Sequence, residues 1–173
     1  MGYFYGTLVR GIDLTWVLKG LPVEALSPDD YHITIVYIGD REPKGVKEQL
    51  ELALGRFRCF EVRLSGFELL PSPAKPKVVA ARVVDNGELG RIRSTIISVL
   101  AKQSIKLSDR YLSDFKPHVT IGYVKAKGIG DVLQEALEDL EVGDLAVRIS
   151  EIGLIHAHGG KYSKVYGVGL SCG

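Results

Sequence analysis

This chain is short of the features that usually announce a function. Of its 173 residues only two are cysteines, Cys59 and Cys172, and they form no CxxC pair or other ligand-like spacing. That argues against a structural zinc site and against a disulfide framework; the expectation for Cys59 is a small buried apolar residue. Charge of one sign is also missing: 22 Lys and Arg stand against 21 Asp and Glu, a net +1. Strong non-specific nucleic-acid binding needs many cationic contacts to phosphates, which this balance excludes, while a small basic cleft stays compatible with it. No apolar run approaches the roughly 18–20 residues of a membrane span, and MGYFYGTLVRG lacks a charged stretch followed by an apolar one. It also carries Gly6 where a myristoylation signal wants Ser or Thr. A cytoplasmic protein is expected, with no membrane contact. No linker is long enough to separate a pair of independent domains, so residues 1–173 are read as one domain.

What is present is an ordinary globular composition, 46% apolar and 25% charged, in a chain long enough for a substantial core. GYFYGTLVR reads as a strand and LTWVLKGL as a short helix ending at Gly20. YHITIVYIG is a strand. PKGVKEQLELALGRF is a helix with Val46, Leu50 and Leu54 on one stripe. CFEVRLSGFEL alternates like a half-buried strand, PSPAKP is a turn, and KVVAARVV is a further strand. GELGRIRSTIISVLAKQS reads as a helix with Leu89, Ile92, Ile96 and Leu100 on one face. LSDRYLSDF is a polar loop, KPHVTIGYV a strand, GDVLQEALEDL a helix, LAVRISEIGLIHA strand-like, HGGK a turn and KVYGVGL the last strand. This order predicts an α+β protein with helices packed outside mainly antiparallel sheet.

One pattern stands out. HITIVYI, from His32, and HVTIGYV, from His118, share His, Thr, Ile and Tyr at the same places. A segment written twice on strands suggests two lobes related by a pseudo-twofold axis. Strand alternation puts Ile33, Ile35 and Tyr37 on one face and His32, Thr34 and Val36 on the other; Val119, Ile121 and Tyr123 then oppose His118, Thr120 and Gly122. If the polar faces meet across a cleft, two imidazoles and two hydroxyls converge. That set suits a phosphodiester. One imidazole takes a proton from the attacking water or hydroxyl and the other gives one to the leaving oxygen. The hydroxyls donate to the non-bridging oxygens as charge grows there. The scheme calls for no metal and no cofactor.

His32-Ile33-Thr34 and His118-Val119-Thr120 resemble the paired HxTx motifs of the 2H phosphoesterase superfamily, which includes RNA 2′,3′-cyclic phosphodiesterases and 2′-5′ RNA ligase-like proteins. Phe4, FELLPSPAKPKVVAARV and GGKYSKVYGV, with Tyr162, are similar to that family's first strand, central turn and C-terminal strand. The resemblance implies a bilobed fold of two pseudo-symmetric, mainly antiparallel sheets with helices outside and a cleft between. It implies His32 and His118 as catalytic residues, Thr34 and Thr120 as phosphate-binding residues, and hydrolysis of a 2′,3′-cyclic phosphate to a 2′-phosphate. The substrate would be RNA ends or cyclic nucleotides, handled by a monomer without a stable protein partner. His118 is favoured as base and His32 as acid. A 2′-5′ RNA ligase and a non-catalytic module that binds RNA ends are the alternatives. Two departures weigh against the ligase branch: Gly2 and Tyr3 precede Phe4 where that branch has Arg, and Tyr123 stands where it has Arg three residues after the second Thr.

Lys116, Lys125 and Lys161 are candidates for the missing positive charge, Lys116 and Lys161 ahead of Lys125. Phe115 and Tyr111 are candidates to stack on a base, and Asp109 and Asp114 to orient an imidazole. HAHGGK puts His156 and His158 two apart, too few ligands for a metal site on their own, and its Gly-Gly-Lys lacks the P-loop frame. The turn is expected at the cleft rim. Val36 against Gly122 is the one non-conservative difference between the two copies, and it is expected beside the cleft, where it would orient the substrate.

Overall fold

The structure, a computed structural model, describes residues 2–107, 114–143 and 145–173. Tyr111, Asp109 and most of the LSDRYLSDF loop lie outside the described residues. Among the described residues nine strands run in order along the chain: β1 Gly2–Leu8, β2 Val23–Ala25, β3 His32–Gly39, β4 Phe60–Leu70, β5 Val78–Val84, β6 His118–Val124, β7 Ala146–Ile149, β8 Glu151–His158 and β9 Lys161–Gly169. Three helices intervene there: α1 Lys47–Leu54, α2 Glu88–Lys102 and α3 Gly130–Leu137. The strands form one sheet in the order β7-β4-β5-β6-β3-β1-β8-β9, with β2 paired to β6. These strands pair antiparallel throughout. The bilobed expectation is met in a joined form. β3, β1, β8 and β9 make one lobe, β6, β5, β4 and β7 the other, and the pair Ile33 with Val119 couples them.

The helices present the stripes their periodicity promised. Leu50 and Leu54 of α1, Leu89, Ile92, Ile96 and Leu100 of α2, and Leu133 and Leu137 of α3 are all buried. They pack in one core with Ile33, Ile35, Val119 and Ile121 of the two motif strands. Burial of each such side chain is worth about 1.5–3 kcal/mol, so the strands that carry the motifs are firmly held. The start of α2 is fixed by Asp85, whose carboxylate accepts from the backbone N–H of Leu89 and Gly90 at 3.0 and 3.1 Å and sits at the positive end of the helix dipole.

Three expectations change. LTWVLKGL forms only a 3-10 turn over Thr15–Leu18, followed by the short strand β2, which the sequence pattern did not suggest. LAVRISEIGLIHA is two strands, not one: β7 pairs with β4 in one lobe and β8 with β1 in the other, so the chain crosses between lobes at Ser150. The third correction concerns the cysteines. Cys59 and Cys172 are disulfide-bonded across 113 positions of sequence. Local spacing carries no trace of this, because the two meet only through the fold: Arg58 and Ser171 form a parallel bridge, and Cys59 N–H donates to the Ser171 carbonyl at 3.0 Å.

Candidate active site

The β3–β6 coupling brings the two motifs together. With Ile33 opposite Val119 in an antiparallel pair, the flanking positions set Thr34 beside His118 and His32 beside Thr120. Each histidine thus neighbours the threonine of the other copy. Ile33 and Val119 point into the core with no exposure, whereas the two His and two Thr are half-buried on the opposite face.

Both motif strands carry a β-bulge at the same place. Gly6 pairs with Thr34 and Tyr5 with Val36, leaving Ile35 unpaired in that ladder; Ala80 pairs with Thr120 and Val79 with Gly122, leaving Ile121 likewise. An extra residue resets the alternation of side chains. Val36 is therefore fully buried and Tyr37 is 36% exposed, the reverse of the faces that simple alternation assigns. Tyr37 and Tyr123 stand on the same side as the His and Thr residues. Gly122 is likewise turned away from the cleft. A side chain there would collide with Leu18 and press on the Glu24 carbonyl, so this glycine admits the close approach of β2 and the 3-10 turn instead of standing beside the cleft as expected.

Each imidazole is tied back to the chain two residues before it. His32 Nδ1 bonds the Asp30 carbonyl at 2.8 Å and His118 Nδ1 the Lys116 carbonyl at 2.9 Å. A carbonyl only accepts, so Nδ1 carries the hydrogen and Nε2 is left to exchange a proton. His32 lies against two rings, Phe4 at 4.9 Å and Tyr162 at 4.4 Å between centroids. This burial pushes the His32 pKa below the ordinary histidine value, aided by repulsion from His118 and opposed by the Asp30 carbonyl. The Tyr162 hydroxyl meets that of Tyr123 at 3.1 Å, a bond between the two lobes, and burial holds the Tyr162 phenol in its protonated form.

On the side of His118 the cleft opens into a pocket of about 450 Å³ lined by Thr34, Tyr37, Arg93, Phe115, Lys116 and His118. Phe115 and Lys116 thus line the same pocket as His118. Lys116 is largely exposed and 3.8 Å from Asp114. Lys161 is not brought to this group. It pairs with His158 at the tip of the β8–β9 hairpin, so alternation sends it to the strand face opposite Tyr162. Lys125 sits against Glu24 at 3.4 Å. His156 and His158 stack at 5.7 Å, and His156 stacks on Tyr3 at 4.3 Å; among the described residues no group of three His, Cys, Asp or Glu side chains could hold a metal ion.

Arg93 and Arg82 are cations that the sequence pattern did not single out. Arg93 is only 6% exposed, with its guanidinium 5.1 Å from the centre of the Phe115 ring. A signal existed: it falls four residues after Leu89 and three before Ile96, on the buried stripe of α2. Arg82 is opposite His118 in the β5–β6 ladder, a neighbour that only register reveals.

Known proteins resemble this one in sequence and in shape. The model of the 2′-5′ RNA ligase superfamily matches residues 25–161. An RNA 2′,3′-cyclic phosphodiesterase of Archaeoglobus fulgidus is 31% identical over 135 residues, 74% of each chain. One of the same name from Aeropyrum pernix is 31% identical over 138 residues, 79% of this chain and 76% of the relative. A Thermus thermophilus crystal structure superposes with a TM-score of 0.75 at 18% identity, covering 99% of both chains. E. coli LigT complexed with 3′-AMP gives 0.68 at 16% identity, covering 98% of this chain and 97% of that one.

Proposed function

Because this chain belongs to the 2′-5′ RNA ligase superfamily, we propose that it is a phosphoesterase that opens 2′,3′-cyclic phosphates at RNA ends or on nucleotides, leaving a 2′-phosphate. The observation that carries the reading is the pairing of the two HxT copies at the lobe junction, each imidazole with Nδ1 tied to a carbonyl and Nε2 available. Two relatives at 31% identity bear the name of this activity.

In the proposed step a water oxygen attacks phosphorus while the bond from phosphorus to the 3′ oxygen breaks. One Nε2 accepts the water proton, and the other, as imidazolium, gives its proton to the departing 3′ oxygen. Thr34 and Thr120 donate hydrogen bonds to the non-bridging oxygens. Burial disfavours a resting imidazolium at His32, and the negative charge of a bound phosphodiester favours it again. Phe115, Tyr37 and the cations Arg93 and Lys116 beside His118 suit a nucleoside and its charge.

The test is turnover of a 2′,3′-cyclic mononucleotide in EDTA, followed by phosphorus NMR to identify the monoester. The reading expects the 2′-monoester and loss of turnover in His32→Ala and in His118→Ala. Full activity in either variant defeats the mechanism. Joining of tRNA halves through a 2′-5′ bond would move the assignment to the ligase reading. RNA binding without turnover of any cyclic phosphate would move it to a binding module.

A further inference from the structure

The cleft does not end at His118. The pocket beside it shares Leu70, Pro71 and Lys116 with a second pocket of about 400 Å³, whose wall includes Gly66, Glu68 and Arg82. Both volumes fall within the range of small-ligand sites. Together they make one groove in two compartments, with Lys116 on the wall between them.

Arg82 is built into this second compartment. It lies directly opposite His118 in the β5–β6 ladder, which puts the two side-chain roots about 4.5–5.5 Å apart on one face. An irregularity in β4 between Leu64 and Phe67, with Gly66 at φ +69°, turns two carbonyls toward the guanidinium. One terminal nitrogen donates to the Ser65 carbonyl at 3.4 Å and the other to the Phe67 carbonyl at 3.3 Å, while Nε lies 3.6 Å from the Glu68 carboxylate. The two carbonyl contacts engage two of the five donors of an arginine, and the Glu68 carboxylate adds an ion pair at Nε. The fork is thereby fixed in direction, with one N–H on each terminal nitrogen not engaged by the described residues and its side chain about half exposed. Glu68, paired with Arg82, and Glu138 are the acids among the described residues of this wall.

We propose that this second compartment is a subsite for the phosphate and nucleoside 5′ to the reacting end, with Arg82 and Lys116 as its phosphate contacts. The inference rests on the proposed phosphoesterase reading and narrows its substrate: the preferred ligand is an oligonucleotide bearing a cyclic end, not a free cyclic nucleotide. A mononucleotide fills only the compartment beside His118. A longer strand carries its next phosphate past Lys116 to the guanidinium.

The test compares a 2′,3′-cyclic mononucleotide with a trinucleotide carrying the same cyclic end. The native protein should show a kcat/KM at least about tenfold higher for the trinucleotide, a preference that weakens with salt as phosphate contacts do. Arg82→Gln should raise KM for the trinucleotide about tenfold, the effect of losing a charged hydrogen bond, with kcat kept and the mononucleotide unaffected. Arg82→Lys should fall between. Unchanged mononucleotide turnover certifies that the variants fold. Equal kcat/KM for the two substrates in the native protein, or an Arg82→Gln change shared by both, overturns the subsite. If neither substrate is turned over, it is the phosphoesterase reading that fails. The groove is then judged by binding of a 2′-phosphorylated trinucleotide, expected to weaken about tenfold in Arg82→Gln, and equal binding by native and variant protein overturns it.

Discussion

At the scale of single residues, the site is a pair of imidazoles with different surroundings. The Phe4 and Tyr162 rings and the burial they bring keep His32 below the ordinary value of 6.5. The proposed reaction needs one neutral and one protonated imidazole, so kcat/KM should be bell-shaped in pH. The singly protonated pair gives this profile whichever member holds the proton. The acidic limb should lie below pH 6.5, because the group of depressed pKa must lose its proton there. Tyr162→Ala, which opens one side of His32, should move that limb upward, and an unmoved limb would remove burial as its cause. The division of labour needs a different substrate. With a p-nitrophenyl phosphodiester the leaving group departs without help. If His118 is base and His32 acid, His32→Ala should lose far less activity on this ester than on a cyclic phosphate, while His118→Ala loses about as much on both. The opposite pattern exchanges the roles.

At the scale of elements, the two bulges decide which residues face the cleft. They turn Tyr37 and Tyr123 to the cleft and Val36 and Gly122 to the core. Gly122→Val should therefore act on stability and not on specificity. Overpacking against Leu18 and the Glu24 carbonyl should cost about 1–3 kcal/mol in chemical denaturation, with the ratio of substrate preferences unchanged. A changed preference in a variant of native stability would return Gly122 to the cleft. Much of this level was legible beforehand. The helices and most strands announce themselves through their apolar period, and the paired HxT through repetition. The bulges were not legible, because one inserted residue leaves no mark on composition and yet reverses every later face. The neighbourhood of Arg82 and His118 was hidden for a related reason: register is a relation between strands, and one strand read alone does not contain it.

At the scale of the molecule, the two lobes meet in the sheet at Ile33 and Val119 and at the Tyr123–Tyr162 hydroxyl contact, over a shared core. The disulfide adds a tie that distance in sequence concealed. Cys59–Cys172 fastens the segment before β4 to the segment after β9, in different lobes. A crosslink over a loop of about 100 residues restricts the unfolded chain by up to about 4–5 kcal/mol in the chain-entropy model. Reduction, or Cys59→Ser with Cys172→Ser, should lower Tm on the order of 10 °C while leaving turnover at low temperature intact, since neither sulfur lines the cleft. A melting point indifferent to reductant would deny the bond a structural role. The central claim, that the two imidazoles act as one acid–base unit on a cyclic phosphate, meets its most direct test in the kcat of His32→Ala, His118→Ala and the double variant on a 2′,3′-cyclic nucleotide. Each single loss should be about 10²–10⁴-fold, and the double loss should scarcely exceed the larger single one, as for residues that act together. Losses that multiply in the double variant, or a single variant with native kcat, would contradict it.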